Sequence, residues 1–391
     1  MNTQALTGAA AAGEAMKQIN PDVVAAYPIT PQTPVMHQFA QYVADGEVKT
    51  ELITVESEHS AMSACVGAAA AGARTMTATA SQGLALMVEI VYIASSLRLP
   101  IVMNVVNRAL SAPINIHGDH SDSMLARDSS WIQLYSENPQ EVYDNTIVAT
   151  KLAEHPQVRL PVMVCQDGFI TSHETMRVDT LEDKQVQNFI GDYKQPYPLL
   201  DVDKPVTSGP LDLFDYYFEH KRQQSEAMTY VFGAFEKIAD DYQKISGTKL
   251  NLIEPYQLED AQFAIVSMNS SAGTTRHVID ELRSQGIKAG LLKIRMYRPF
   301  PKDQIVQALK HLQAFAVLDR AETYSLSGGP LFIDVKSAFY NQDKKPKAIN
   351  YIYGLGGREL TLDHVKQVFK ELPEINGRKD YDYIRYLGVR E

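Results

Sequence analysis

The chain has 391 residues, too many for one ordinary core, so two domains are expected. Its 45% hydrophobic and 21% charged residues are the proportions of a globular protein, not of a disordered or fibrous one. The net charge of −10, with no basic stripe, excludes a reader of phosphate backbones, and no nucleic-acid partner is expected.

Met1–Ala12 lacks a basic start and a long apolar core, which argues against a signal peptide. Thr7–Ile19 then reads as an Ala-rich helix, Asp22–Tyr27 as a short apolar strand and Pro31–Val43 as a helix with Val35, Phe39, Tyr42 and Val43 on one face. Glu51–Ser57 is a strand, His59–Ala71 a helix, Arg74–Ala80 a strand and Gly83–Leu97 a buried helix. Glu89, Ser95 and Ser96 interrupt that helix, so no bilayer span is expected and the cytoplasm is the default location. Leu99–Asn107 is a nearly continuous apolar strand, Ala109–Ser129 is irregular, Pro139–Glu154 is a helix and Leu160–Cys165 a strand. Apolar strands alternating with helices imply an open parallel sheet covered on both faces.

The alternation stops from about Ser172 to Asn251. Asp192–Pro210, with four prolines, reads as an extended arm over the surface or onto a partner. Leu211–Ile245 looks helical and polar. Strands at Phe263–Met268, Ala289–Arg295, Phe315–Leu318 and Ile349–Tyr353 then alternate with helices at Thr274–Arg283, Lys302–Leu312, Pro330–Tyr340 and Leu362–Leu372. The fold class is therefore α/β, with two open parallel-sheet domains divided at residues 1–250 and 251–391.

Five polar residues of the first domain stand where its expected strands end: Thr30, Glu58, Ser81, Arg108 and Asp167. Ligands of open α/β sheets bind outside the carboxyl ends of the strands. Thr30, before Pro31, is placed to cap a helix, or to leave that N-terminus free for a carboxylate. Glu58 lies between a strand and an Ala-rich helix; it either complements the helix dipole or shares a proton with a nitrogen heterocycle. Arg108 either forks a ligand carboxylate or pairs with Asp119 or Asp122. Ser81 is expected to cap the helix after Thr79-Ala80. The loop Ile116–Asp122 contains His117, Asp119, His120 and Asp122, but its spacing matches no metal motif and no metal site is expected. The two cysteines, Cys65 and Cys165, lie in apolar runs and read as buried hydrophobes. They are too few for an iron–sulfur cluster. No G-x-G-x-x-G, Walker or G-x-S-x-G pattern occurs, and the Gly-Leu-Gly-Gly at 354–357 is weak alone.

Taken in order, Tyr27-Pro28-Ile29-Thr30-Pro31, Ser57-Glu58, Thr79-Ala80-Ser81-Gln82-Gly83-Leu84, Asn107-Arg108-Ala109, Gly118-Asp119-His120-Ser121-Asp122 and Asp167–Glu174 resemble the α subunit of the 2-oxoacid:ferredoxin oxidoreductases. The Pro-Gln-Thr-Pro continuation at 31–34 looks most like the pyruvate enzymes, rather than those for branched or aryl 2-oxoacids. The resemblance implies a thiamine-diphosphate-binding fold of the pyrimidine type, followed by a transketolase C-terminal-like domain. It implies that Glu58 bonds the aminopyrimidine ring and promotes loss of the thiazolium proton, and that Pro28 lies beside the cofactor. Thr30 and Arg108 would bind the 2-oxoacid, with Asp119, His120 and Ser81 supporting the site. Diphosphate and Mg²⁺ would be held by a β subunit, [4Fe-4S] clusters by β- and γ/δ-type subunits, and coenzyme A and ferredoxin or flavodoxin would complete the reaction. The chain should be inactive alone. A non-catalytic scaffold subunit, or a self-contained transketolase-like enzyme, are the rival expectations.

Overall fold

The computed structural model describes residues 2–390; Met1 and Glu391, the outer ends of the two expected domains, lie outside them. In chain order the first part comprises β1 (Asn2–Thr7), α1 (Gly8–Ile19), β2 (Val23–Ala26), α2 (Thr33–Ala44), β3 (Glu51–Thr54), α3 (Glu58–Ala71), β4 (Thr75–Thr79), α4 (Ser81–Ser96), β5 (Val102–Asn107), α5 (Ser121–Leu125), β6 (Ile132–Ser136), α6 (Pro139–Ala153) and β7 (Val162–Asp167). β8 (Thr175–Thr180), α7 (Asp183–Ile190), α8 (Tyr217–Thr229) and α9 (Val231–Ser246) follow. The second part has β9 (Ile253–Tyr256), β10 (Phe263–Ser267), α10 (Ser271–Ser284), β11 (Ala289–Ile294), β12 (Met296–Arg298), α11 (Lys302–Leu309), β13 (Ala314–Asp319), α12 (Pro330–Phe339), β14 (Lys347–Tyr353), α13 (Leu362–Asn376) and β15 (Ile384–Leu387).

The larger sheet has the order β12-β6-β7-β5-β4-β2-β3, all parallel except β12. The second has the order β15-β14-β13-β10-β11-β9, parallel except β9. Buried residues of α1, α2, α6, α7 and α9 cover one face of the larger sheet. α3 and α4 cover the other, in an apolar cluster that continues through Trp131 and Tyr135 to α11 and α12 of the second unit. α10 and α13 close the far face of the second sheet. The core on the α3/α4 side of the larger sheet is thereby continuous with that of the second unit.

Six strands escape the sequence reading: β1, β6, β8, β9, β12 and β15. β6, Ile132–Ser136, lies between the irregular stretch and the helix at Pro139, where no element was assigned, although every residue of it is buried. β12 has three residues and pairs with β6 from more than 150 positions away, so the second unit adds a strand to the first sheet. β1 and β8 form a separate antiparallel ribbon. The helical stretch after the arm is less polar than expected: α9 buries Val231, Phe235, Ile238 and Tyr242.

Candidate active site

In the larger sheet, β2 and β4 are neighbours, yet the helices that follow them, α2 and α4, pack on opposite faces. A crevice must open at such a switch point. The Tyr27–Gln32 loop borders it on one side and the start of α4 on the other. Thr30, Glu58, Ser81, Arg108 and Asp167 follow or end five strands that are adjacent in the sheet: β2, β3, β4, β5 and β7.

Glu58 is the first residue of α3, behind Ser57, whose hydroxyl accepts the Ser60 N–H at 3.2 Å as N-cap. Its carboxylate is buried and lies against Gly83 of α4. A Cβ on Gly83 would stand 2.8 Å from Glu58 Oε1 and 2.5 Å from Thr79 Oγ1, so glycine there leaves the carboxylate its place. Thr79 Oγ1 is itself buried without a hydrogen-bond partner. A buried carboxylate beside an unpartnered hydroxyl suits a heterocycle that presents both donor and acceptor atoms.

Thr30 does not cap α2. The helix starts at Thr33, with Pro34 rather than Pro31 in its first turn and Gln32 at the cap position. A turn intervenes, in which the Ile29 carbonyl accepts the Gln32 and Thr33 N–H groups. Two prolines compete for the first helical turn here, and the second prevails. Thr30 is thereby released onto an exposed loop with Pro28. Ser81 is likewise not a cap: Ala80 is. Ser81 has φ +47°, its N–H donates to Asp122 Oδ2 at 2.9 Å, and its hydroxyl donates to the Ala109 carbonyl at 2.6 Å. The carboxylate from across the sheet holds this backbone in the left-handed region that a non-glycine residue rarely enters.

Arg108 is buried, and among the described residues its guanidinium pairs with no carboxylate. Nη1 donates to the Thr30 carbonyl at 2.9 Å and Nε to the Asn115 carbonyl at 2.8 Å. Nη2 makes no hydrogen bond among the described residues. Asp122 takes the Arg108 main-chain N–H instead, at 2.9 Å. Burial lowers the Arg108 pKa, with Asp122 opposing. Asp122 also accepts from Asn107 Nδ2 and Ser123 N; burial outweighs these donors and pushes its pKa up to about 6. This residue ties the ends of β4 and β5 to α5; sequence reasoning placed it in the Gly118–Asp122 motif and as a rival partner for Arg108, without this role.

Asp119 and His120 turn away from the crevice toward the second unit. Asp119 Oδ1 accepts from Ser121, and its Oδ2 accepts the Gly356 N–H at 3.1 Å. His120 Nε2 is 2.9 Å from Asp167 Oδ1, which also takes Arg320 Nη1 at 2.9 Å, while Ser270 donates to Asp167 Oδ2. Burial raises the Asp167 pKa, but Arg320 and then His120 outweigh it and hold this carboxyl well below the usual range. Asp167 thus latches the two units. Glu137, Glu141 and Glu254 also converge, but buried Lys293 and Arg295 lie among them and neutralise the cluster. The signal for these latches was absent from local sequence, because each partner comes from the other sheet.

A doubly wound parallel sheet joined to a second one, with a buried carboxylate and a carboxylate-free guanidinium at its switch point, defines the class as an α/β protein with a ligand crevice at its strand ends. The family model described as pyruvate flavodoxin/ferredoxin oxidoreductase, thiamine-diphosphate-binding, matches residues 14–240, and that of pyruvate:ferredoxin oxidoreductase core domain II matches 261–365. The chain belongs to this oxidoreductase family. It is 57% identical to pyruvate synthase subunit PorA of Thermotoga maritima, over 99% of this chain and 98% of that protein. It is 39% identical to ketoisovalerate oxidoreductase subunit VorA of Pyrococcus abyssi, over 95% and 93%. A solved 2-oxoglutarate:ferredoxin oxidoreductase from Magnetococcus marinus, with 2-oxoglutarate, coenzyme A and succinyl-CoA bound, superposes with a TM-score of 0.73 at 20% identity, over 95% of this chain and 65% of that one. That likeness bears on the fold. Among the described residues no helix is long and apolar enough to cross a membrane.

Proposed function

We propose that this chain is the α-type subunit of a cytoplasmic pyruvate:ferredoxin (or flavodoxin) oxidoreductase, which makes acetyl-CoA, CO₂ and reduced carrier from pyruvate and coenzyme A. Residues 1–250 form the pyrimidine-type domain and 251–391 the transketolase C-terminal-like domain. The observation that carries this reading is the buried Glu58 carboxylate at the switch-point crevice, seated against Gly83. When bound, thiamine diphosphate supplies an acidic thiazolium carbon that becomes the nucleophile toward a 2-oxoacid. Glu58 would hold the aminopyrimidine by sharing a proton with its ring nitrogen, the chemistry that lets the exocyclic nitrogen act as a base. Pro28, on the Tyr27–Gln32 loop, would lie beside that ring. Arg108 binds the substrate carboxylate through its free Nη2 edge, and the Thr30 hydroxyl binds the adjoining carbonyl; together they align the bond that breaks.

Diphosphate, Mg²⁺ and [4Fe-4S] clusters belong to β-, γ- and δ-type partner subunits. The apolar arm supports such partners: Tyr197, Leu200, Val202, Leu211, Leu213, Phe214, Tyr216 and Phe218 are all exposed on segment 197–218. A surface this apolar is rare on a monomer. Asp201, Asp203, Asp212 and Asp215 lie among them, so the partner face is apolar with a basic rim. Pyruvate is put forward over a branched 2-oxoacid because the pyruvate-named relative is far more similar than the ketoisovalerate-named one.

Glu58→Gln tests the central role. In the reconstituted complex it should assemble normally and lose pyruvate oxidation by at least about a hundredfold, since an amide cannot share the proton. Near-normal turnover with Gln at this position would leave only a helix-dipole role, and would favour the scaffold reading. A panel of 2-oxoacids on the same complex reads the substrate.

A further inference from the structure

We propose that the glycine turn Gly354–Gly357 of the second domain aims Arg108, through Asn115, so that the second domain is a working part of the substrate-carboxylate site. This rests on the reading of Arg108 as the carboxylate ligand.

Both acceptors that orient the guanidinium are main-chain carbonyls on loops: Thr30 for Nη1 and Asn115 for Nε. The guanidinium is therefore placed no better than those loops are. The Asn115 loop has no helix or strand between Asn107 and Ser121, and it carries exposed Ile114 and Ile116. It has little packing of its own to fix Asn115. What fixes it is the Asn115 side chain. Oδ1 accepts the His117 N–H at 2.7 Å, within the loop, and Nδ2 donates to the Gly356 carbonyl at 3.0 Å, across the domain boundary. The Gly356 N–H donates to Asp119 Oδ2 at 3.1 Å. One glycine thus grips the loop at two points, as acceptor and as donor.

The turn is built for that grip. Gly354, Gly356 and Gly357 have φ of +64°, +59° and +82°, which L side chains rarely adopt. A Cβ on Gly356 would stand 2.4 Å from Asn115 Nδ2, and one on Gly357 2.3 Å from His117 Cβ. The Gly354 carbonyl accepts from Arg320 Nε at 3.2 Å, and Arg320 is the residue that pairs with Asp167. A rigid path therefore runs from the interdomain latch, through the turn and Asn115, to Arg108. A contact that merely sealed the two domains would have no reason to converge on the residue whose carbonyl holds Arg108. The motif at 354–357, uninformative as sequence, is accounted for by this contact.

A positioning role has a kinetic signature. Asn115→Ala removes the cross-domain bond without straining the turn, Asn115→Asp keeps the acceptor for His117 but loses the donor to Gly356, and Gly356→Ala displaces Asn115. In the reconstituted holo complex, with assembly checked by mass, each should raise the pyruvate KM about tenfold and leave the coenzyme A KM unchanged. In an Arg108→Ala background, Asn115→Ala should add less than about a twofold further change, because nothing is left to aim. Equal rises in both KM values, or effects that multiply fully with Arg108→Ala, overturn the inference and leave a structural seal. If Arg108→Ala itself does not change the pyruvate KM, the carboxylate reading fails first and the inference falls with it. Gly356→Ala failing to assemble leaves the decision with the two Asn115 variants.

Discussion

A methyl group on Gly83 would lie 2.5 Å from Thr79 Oγ1 and 2.8 Å from Glu58 Oε1. Alanine is the better helix former by about 1 kcal/mol, so helix propensity alone favours Gly83→Ala. The Glu58 carboxylate is the far end of a flexible side chain and yields first. The cost then falls on the site more than on the fold. We expect Gly83→Ala to leave the thermal midpoint of the chain within a few degrees. The thiamine diphosphate concentration needed for half-maximal activity of the complex should rise about tenfold, through loss of close packing at one carboxylate. A titration with the cofactor checks this; an unchanged requirement means that Glu58 is not where the ring binds. Asp122 acts at the same scale in another way. By accepting the Ser81 and Arg108 main-chain N–H groups, it fixes two strand ends that no local motif fixes.

At the scale of elements, α6 and α9 meet through Asp144, whose Oδ1 accepts the Tyr242 hydroxyl at 2.7 Å, while its Oδ2 is buried without a partner. Burial pushes the Asp144 pKa up to about 7, although Tyr242, Gln140 and Arg295 favour the ionised form. The unfolded chain releases this proton near pH 4 and the folded chain near pH 7. Between those values the folded state holds more protons, so this residue's contribution to stability falls as pH rises from 4 to 7 and is flat above. Relative to the parent, Asp144→Asn should gain roughly 2–3 kcal/mol between pH 5 and pH 8, read by denaturant melts at both pH values. An equal difference at both would show that Asp144 stays ionised throughout. The elements themselves divide by legibility. α1, α3, α6 and the apolar strands β4, β5 and β7 were readable because period and capping agree over many residues, as at Thr7, Ser57 and Asn138. β6 was lost because Gln133 and Ser136 dilute its apolar run. Gln133 is buried by donating to the Ser123 carbonyl, a contact that hydrophobic periodicity does not reveal. Thr30, Glu58 and Arg108 could be picked out because the ends of their strands are legible. Their supports, Gly83, Asp122, Asn115 and Gly356, could not be, since each acts through a residue distant in sequence.

At the scale of the whole molecule, the two units are held by groups that would be costly to bury singly. Arg320 and Asp167 are buried together, as are Lys293 and Arg295 with their carboxylates. Breaking one such pair costs about 3–5 kcal/mol. The outer surface is the reverse case. Residues 191–216 contain no helix or strand, and the arm is tied down only at points, as where Leu199 N–H donates to the Ala70 carbonyl and Arg159 to Gln195. Leu211 is 89% and Phe214 97% exposed, so neither supports the fold of this chain. Leu211→Asp with Phe214→Asp should therefore change the stability of the isolated chain by less than about 0.5 kcal/mol. At an interface, a buried aromatic anchor is worth about 2 kcal/mol or more, and two carboxylates pressed against an apolar surface add a desolvation cost. The double variant should fold, bury Glu58 and Arg108 as before, and recover less than about a tenth of the Cys-rich, iron-bearing partner in co-purification. Full recovery of that partner with the double variant would move the docking surface off the arm; a second copy of this chain in its place would show as a change in the chain's own oligomeric mass.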